Sequence, residues 1–346
     1  MNETDVTREG LEHVRPRHAS RGEQPMVPDA EFGSYYGQPI INQPVWRGPD
    51  IAGYFFLGGL GGAASVMAAG AHLSGRGELA RALKIGGAVA GALSTVALIH
   101  DLGRRARFVN MLRTFKPTSP MSVGSWVLAA YAPAATVAAA SDLTGIAPGI
   151  GTLATTGAAA LGPILATYTA ALVSNTAVPA WHDAYREMPF VFASSAVTSA
   201  AGLALVAAPL EECGPARFLG VLGAAAELGT ERVMEERMGL AREAFYEDKA
   251  STYQRAARGL LGVGIVGSLA GRRSRLAGAL SGAALLAGSA FTRFAIFEAG
   301  LASAADPKYT VVPQRQRLEA RGGRSTSAVT NGHAPADAVP SEPPPT

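Results

Sequence analysis

The chain has 346 residues, 48% of them hydrophobic and only 16% charged, with a net charge of +3 and a mean hydropathy of +0.16. Soluble domains carry about a quarter charged residues, so the composition argues against an ordinary soluble protein and gives nucleic-acid binding no support. The single cysteine, Cys213, excludes a disulfide framework and any iron–sulfur cluster ligated by this chain alone.

Residues 1–45 are polar and Pro-rich and read as a disordered tail with no signal-peptide pattern, so the first apolar span is expected to act as the insertion signal. Eight apolar windows of about the length a bilayer core demands follow. They lie near 51–73, 82–100, 121–141, 150–174, 189–208, 216–234, 256–271 and 275–301. Lipid offers the backbone no hydrogen bonds, so these windows should be helices. The expected fold is an all-α, polytopic integral membrane helical bundle of about eight transmembrane helices, spanning residues 46–305. The sixth window is interrupted by Glu227, Glu231 and Arg232, and the seventh is short and Gly-rich. Small-xxx-small pairs (Gly58/Gly62, Gly87/Gly91, Gly267/Gly271, Gly278/Gly282) predict close helix approach. Residues 306–346 read as a second disordered tail.

Three polar-aromatic clusters punctuate the spans. The first, Pro44-Val45-Trp46-Arg47-Gly48-Pro49-Asp50 with Tyr54, opens the first span. Trp46 and Tyr54 suit a membrane interface, and Asp50 suits either a helix N-terminus or a ligand contact. The second is the bridge HDLGRRARFVNMLRTFKPTSPMSVGSW at 100–126. It sets Arg104, Arg105, Arg107, Arg113 and Lys116 against one acid, Asp101. A positive loop is its plain reading; a surface that docks a partner is the other. Ser119 and Thr118 can cap the next helix, and His100 beside Asp101 can pass protons or simply cap. The third cluster runs from Asn175 through Pro179, Trp181, His182 and Asp183 to Glu187, then Ser194 and Ser195. Trp181 can stack on a planar ring.

Ionisable residues inside spans are costly and are functional candidates by default. Glu227, Glu231, Arg293 and Glu298 qualify, as a structural ion pair or as elements of a proton path. With eight spans both termini and all three clusters fall on one side, here called end A. It carries 22 of the 30 Lys and Arg residues, and 12 against 7 when both tails are left out. The positive-inside rule then puts end A in the cytoplasm. No P-loop, no dinucleotide-binding glycine motif and no HExxH occurs, and His72 and His100 sit near opposite faces, against a haem held by two histidines.

The sequence resembles the NrfD / polysulfide-reductase membrane subunit family. The resemblance rests on Pro44–Trp46 with IAGYFFLGGL at 51–60, the 100–126 bridge, NTAVPAW at 175–181 and PFVFASSA at 189–196, and runs over about residues 38–305. It implies a quinone-interacting membrane anchor for the plasma or inner membrane, without haem, docked on an iron–sulfur ferredoxin-like subunit that serves a molybdopterin catalytic subunit. It also implies a quinone headgroup near Trp46, Asp50, Tyr54, His100, Asp101, Lys116, Ser119, Asn175 and Trp181. The best-known members of that family hold their partners outside the cytoplasmic membrane on the bridge side, whereas the charge count puts the bridge inside. Two other readings stay open: an ion or small-solute transporter lined by the buried charges, and a passive anchor without a quinone site.

Overall fold

The computed structural model describes residues 40–320 apart from 47, 103, 105 and 272. Each of the eight apolar windows becomes one long helix: α1 Gly48–Leu73, α2 Gly77–Asp101, α4 Pro120–Thr144, α5 Pro148–Ser174, α7 Met188–Ala207, α8 Gly214–Arg237, α9 Asp248–Ala270 and α10 Arg275–Ala305. Among the described residues, three shorter helices, α3 Ala106–Met111, α6 Pro179–Asp183 and α11 Lys308–Ala320, and a 3-10 turn at Gly239–Tyr246 join them. No strand occurs among the described residues. The bundle is the all-α, multi-pass membrane architecture that composition predicts.

Six of the long helices, α1, α2, α4, α5, α7 and α10, are long and apolar enough to cross a membrane. The other two, α8 and α9, differ for a visible reason. Their halves nearest the α8 start and the α9 end show apolar side chains outward, Phe218 and Leu222 on α8 and Val263, Val266 and Leu269 on α9. Their other halves carry charge, with an exposed Arg232–Glu236 pair on α8 and Arg255 and Arg258 on α9. The expected tail from residue 306 also needs correction. Asp306 accepts from the Lys308 amide at 2.8 Å, and Tyr309, itself buried, donates to Glu247 at 2.6 Å. These anchors start α11, so the segment 308–320 is helical; the N-terminal tail up to residue 39 and residues 321–346 lie outside the described residues.

Local chemistry sets the boundaries. Ser119 and Ser274 cap α4 and α10 by accepting from Ser122 and Ala277 amides, satisfying N–H groups that have no intrahelical partner. Prolines occupy the first turns of α4, α5, α6, α7 and α8, where a missing N–H costs nothing. Gly145, at φ 71°, ends α4 in the left-handed conformation glycine adopts freely. At the far end of the bundle, end B, Glu212 accepts from the Leu79 amide at 2.8 Å and Arg275 donates to the last carbonyls of α7 at Leu205 and Val206. Lys84, almost buried, meets Asp142 at 2.7 Å, and Arg81 meets the same carboxylate at 3.1 Å.

Helix α1 is the central member, packed on α2, α5, α7 and α10. Two apolar clusters fill the interior, one rich in aromatic rings at end A and one of Ala and Leu at end B. Two glycine pairs let the backbones touch. Gly62 of α1 faces Gly162 of α5, and Gly202 of α7 faces Gly282 of α10, so closely that a methyl on any of the four would strike the opposing carbonyl. Between membrane helices, where apolar surface gains little by leaving lipid, such backbone contact is a main source of cohesion. Replacing Gly202 by Val is therefore expected to cost about 1–3 kcal/mol as overpacking. Thermal unfolding of the detergent-solubilised protein should show a lowered midpoint for Gly202→Val. Gly70→Ala, where an added methyl meets nothing within 4 Å, should leave it unchanged or slightly raised.

Candidate functional site

At end A the chain builds a cleft from five elements: the first turns of α1, the last turn of α2, α3, the start of α4 and the end of α5. Its walls include Trp46, Ile51, Tyr54, Phe55, Leu98, Asp101, Met111, Met121, Ser125 and Tyr168. The cavity volume is about 70 Å³. The walls are largely apolar and aromatic, as small-molecule sites usually are. Met111 and Met121 supply two unbranched side chains that can reshape the opening.

Tyr168 is the chemically distinctive wall residue. Its ring meets Tyr54 edge-on, with centroids 6.3 Å apart at 75°. The ring lies over Gly124 of α4 so closely that any Cβ there would collide with it. Its hydroxyl is buried and makes no hydrogen bond within the protein. A buried, unpaired hydroxyl costs free energy, and a ligand acceptor in the cleft would recover it. Ser125, by contrast, is already committed to the Ser122 carbonyl at 2.9 Å.

The rim is held by two contacts between distant parts of the sequence. Trp46 stacks on Trp181 with ring centroids 5.5 Å apart, and Trp181 packs on Phe297 at 5.9 Å. Asp50, in the first turn of α1, meets His100, in the last turn of α2, at 2.8 Å through Nδ1. The Asp50 and Glu298 carboxylates both lie at the start of α1, where a helix dipole favours negative charge.

The structure thus brings together part of what the sequence singles out. Trp46, Tyr54 and Asp101 line the cleft, and the Asp50–His100 pair sits next to it, each partner a chain neighbour of the wall residues Ile51 and Asp101. Trp181 is one layer deeper than a ligand contact: it is fully buried, donates to the Ile296 carbonyl at 2.7 Å and fills a notch opposite Gly300. Lys116 and Asn175 are exposed and do not line the cleft. Ser119 acts as the α4 cap. Arg104, Arg107 and Arg113 are exposed on the bridge face, while Arg105 and Arg47 lie outside the described residues. In the α5–α7 corner, burial raises the Asp183 carboxyl above its usual range, against the opposing pull of His182 and Arg317. The sequence analysis missed Tyr168, Met111, Met121 and Ser125. Tyr168 carried a signal, being the tyrosine of the fifth element's end-A half, yet nothing in its neighbours distinguished it.

The span charges separate into two places. Arg293 is fully buried, donates to the Phe192 carbonyl at 2.6 Å and to Ser195 Oγ at 3.2 Å, and lies over the Phe192 ring at 3.7 Å. Glu227 is fully buried beside it, among the hydroxyls of Thr292, Thr198 and Ser195. Glu231 lies one turn further along α8 and is held by Gln254 at 3.0 Å and Arg258 at 3.3 Å. Glu298 stays apart from this group, against Gly48 of α1. No group of His, Cys, Asp or Glu among the described residues could hold a metal.

The family model for polysulphide reductase, NrfD, matches residues 38–212. The chain belongs to the NrfD family. No curated protein matches it. The matched segment ends just before α8 and holds every residue named on the cleft walls and the Asp50–His100 rim. The NrfD assignment and the six apolar helices together make this a multi-pass membrane protein, and they point to a membrane subunit of a quinone-interacting oxidoreductase complex.

The Trp46–Trp181 stack predicts a spectroscopic signature. Two indoles 5.5 Å apart should couple in near-ultraviolet circular dichroism. Trp46→Phe should remove that couplet with the far-ultraviolet helix signal intact, and Trp126→Phe, at an exposed position, should leave it in place.

Proposed function

We propose that the end-A cleft binds the headgroup of a membrane quinone, menaquinone or ubiquinone, and that the chain orients it for electron exchange with an iron–sulfur subunit docked on the same face. The observation that carries this reading is the buried, unpartnered Tyr168 hydroxyl set in an aromatic and methionine-lined cleft. A quinone carbonyl is an acceptor on a planar ring. Tyr168 supplies the missing donor, and Trp46 and Tyr54 supply ring faces and edges for stacking. Met111 and Met121 on the same walls have unbranched side chains that can adapt to the bound ring. His100, Asp50 and Asp101 stand at the rim, where a proton exchanged with the reduced headgroup can reach water. The protein supplies binding and orientation, and the redox chemistry belongs to the quinone and the partner's cluster.

The exposed cations of the bridge, Arg104, Arg107 and Arg113, suit an acidic docking surface on that ferredoxin-like subunit, which in turn would serve a molybdopterin catalytic subunit. We read end A as cytoplasmic from the excess of Lys and Arg. Single-cysteine labelling tests the orientation: with buried Cys213 changed to Ala, Lys116→Cys should be blocked only by reagents that enter the cytoplasm. Labelling from outside intact cells would reverse the assignment.

The quinone site is tested by binding of a fluorescent quinone analogue to the purified protein in nanodiscs. Tyr168→Phe should weaken binding about 5- to 30-fold, the worth of one buried hydrogen bond. Trp46→Ala should weaken it at least as much, while Asn175→Ala and Lys116→Ala should leave it unchanged. Equal affinity across all four variants would exclude this cleft.

A further inference from the structure

Helix α8 carries three carboxylates at four-residue spacing, Glu227, Glu231 and Glu235, and all three are buried. Residues four apart lie on one helix face, so the three form a column about 12 Å long at 1.5 Å per residue. Its outer end reaches the surface. Tyr246, exposed, donates to Glu235 at 3.0 Å, and the part-exposed Arg258 of α9 pairs with both Glu235 and Glu231. Gln254 of α9 donates to the same two carboxylates. The inner end is different. Glu227 is fully buried with only the hydroxyls of Thr292, Thr198 and Ser195 around its carboxylate and no cation in direct contact, Glu231 keeps one oxygen unpaired, and Arg293 keeps one Nη unpaired.

The missing counter-ion contact is the unusual part, because a buried charge that is not directly paired is among the costliest features a membrane protein can hold. A structural ion pair would bring Glu227 and Arg293 into direct contact, and no such pair forms among the described residues. The charges also fail to balance. Three carboxylates face two guanidiniums, Arg258 and Arg293, so the group holds one negative charge too many. Arg232 of α8 also lies near Glu235, but it is exposed and its charge is matched by Glu236. The other side chains that face the group, Thr198 and Ser195 from α7, Thr292 from α10, Gln254 from α9 and Tyr246 from the 3-10 turn, are neutral. From α1, Gly59 lies against Arg293. One bound proton makes the set neutral.

We propose that Glu235, Glu231 and Glu227 form a blind proton path that enters at the α8–α9 mouth and ends on Glu227 as a protonatable store beside Arg293. Water is the carrier between carboxylates. A proton given up by a hydronium ion at the mouth adds to a Glu235 oxygen, moves on to Glu231 and then to Glu227, so that Glu235 and Glu231 return to their starting charge and Glu227 alone goes from carboxylate to neutral acid. A water shared by Glu227 and the free Arg293 Nη satisfies both. The store lies two rings from the cleft, since Arg293 stacks on Phe192 and Phe192 packs at 5.9 Å on the cleft-wall Phe55. The proposal does not depend on what the cleft binds.

Infrared spectroscopy of the full-length protein in nanodiscs tests it without any quinone or partner. The wild type should show a protonated carboxylic-acid C=O band that moves on transfer to D2O. Glu227→Gln should abolish that band, and Glu236→Gln, at the exposed Arg232 pair, should keep it. Glu231→Gln should retain the band but slow its deuterium exchange on the order of 100-fold, the scale of losing a positioned proton carrier. If Glu227→Gln fails to fold, the exchange rate in Glu231→Gln still decides. No exchangeable acid band at any pH, a band indifferent to Glu227→Gln, or exchange indifferent to Glu231→Gln overturns the proposal.

Discussion

One buried side chain, Trp181, ties end A together. It sits on a five-residue helix that has no stability of its own, since isolated helices need about 12–15 residues to be even marginal. Its ring enters a notch that only Gly300 leaves open, its N–H is taken by the Ile296 carbonyl, and its two faces meet Trp46 and Phe297. The Ala180 amide donates to Ser303 Oγ at 3.1 Å and fixes the same short helix to α10. The segment before α1 is thereby held against α10, and the position of Trp46 on the cleft rim follows from it. Without that anchor the walls given by α1, α4 and α5 would remain, but the rim would have no fixed edge.

The same end of the bundle concentrates polar chemistry in a fold whose cohesion comes from close backbone approach. Glycine contacts between α1 and α5 and between α7 and α10 spare the interior from large side chains in midspan. Elsewhere between α7, α8 and α10 the interior is polar, with Ser195, Thr198, Glu227, Thr292 and Arg293 gathered together. Arg293 is tolerated because a carbonyl, a hydroxyl and an aromatic face each take part of its charge.

Much of the fold was legible in the sequence. All eight apolar windows became helices because lipid leaves the backbone no alternative, and the Pro and Ser signals placed the α4 boundary correctly. The short helices α3 and α6 were not legible, because each is too short to show a periodic pattern and α6 is fixed by its contacts with α10. Helix α11 was hidden by a Pro- and polar-rich neighbourhood, and its anchors, Glu247 and Asp306, lie outside it. For the site, the clustering of Trp46, Asp50, Tyr54, His100 and Asp101 on one membrane face could be read from loop parity alone. Depth could not: Trp181 and Tyr168 are both aromatic residues near helix ends, and only packing sends one to support the rim and leaves the other with an unclaimed hydroxyl.

The uneven polarity of α8 and α9 reaches beyond the protein. Along α4 exposed apolar side chains run from Met121 and Trp126 to Val137 and Leu143, but along α8 the outward surface turns from Phe218 and Leu222 to the exposed Arg232 and Glu236 within about three turns. Lipids beside that seam meet a short hydrophobic girdle and must thin to match it. Headgroups and their hydration water then sink toward the middle of the bundle on this one flank, so the surrounding bilayer has a built-in dimple next to Tyr246 and Arg258.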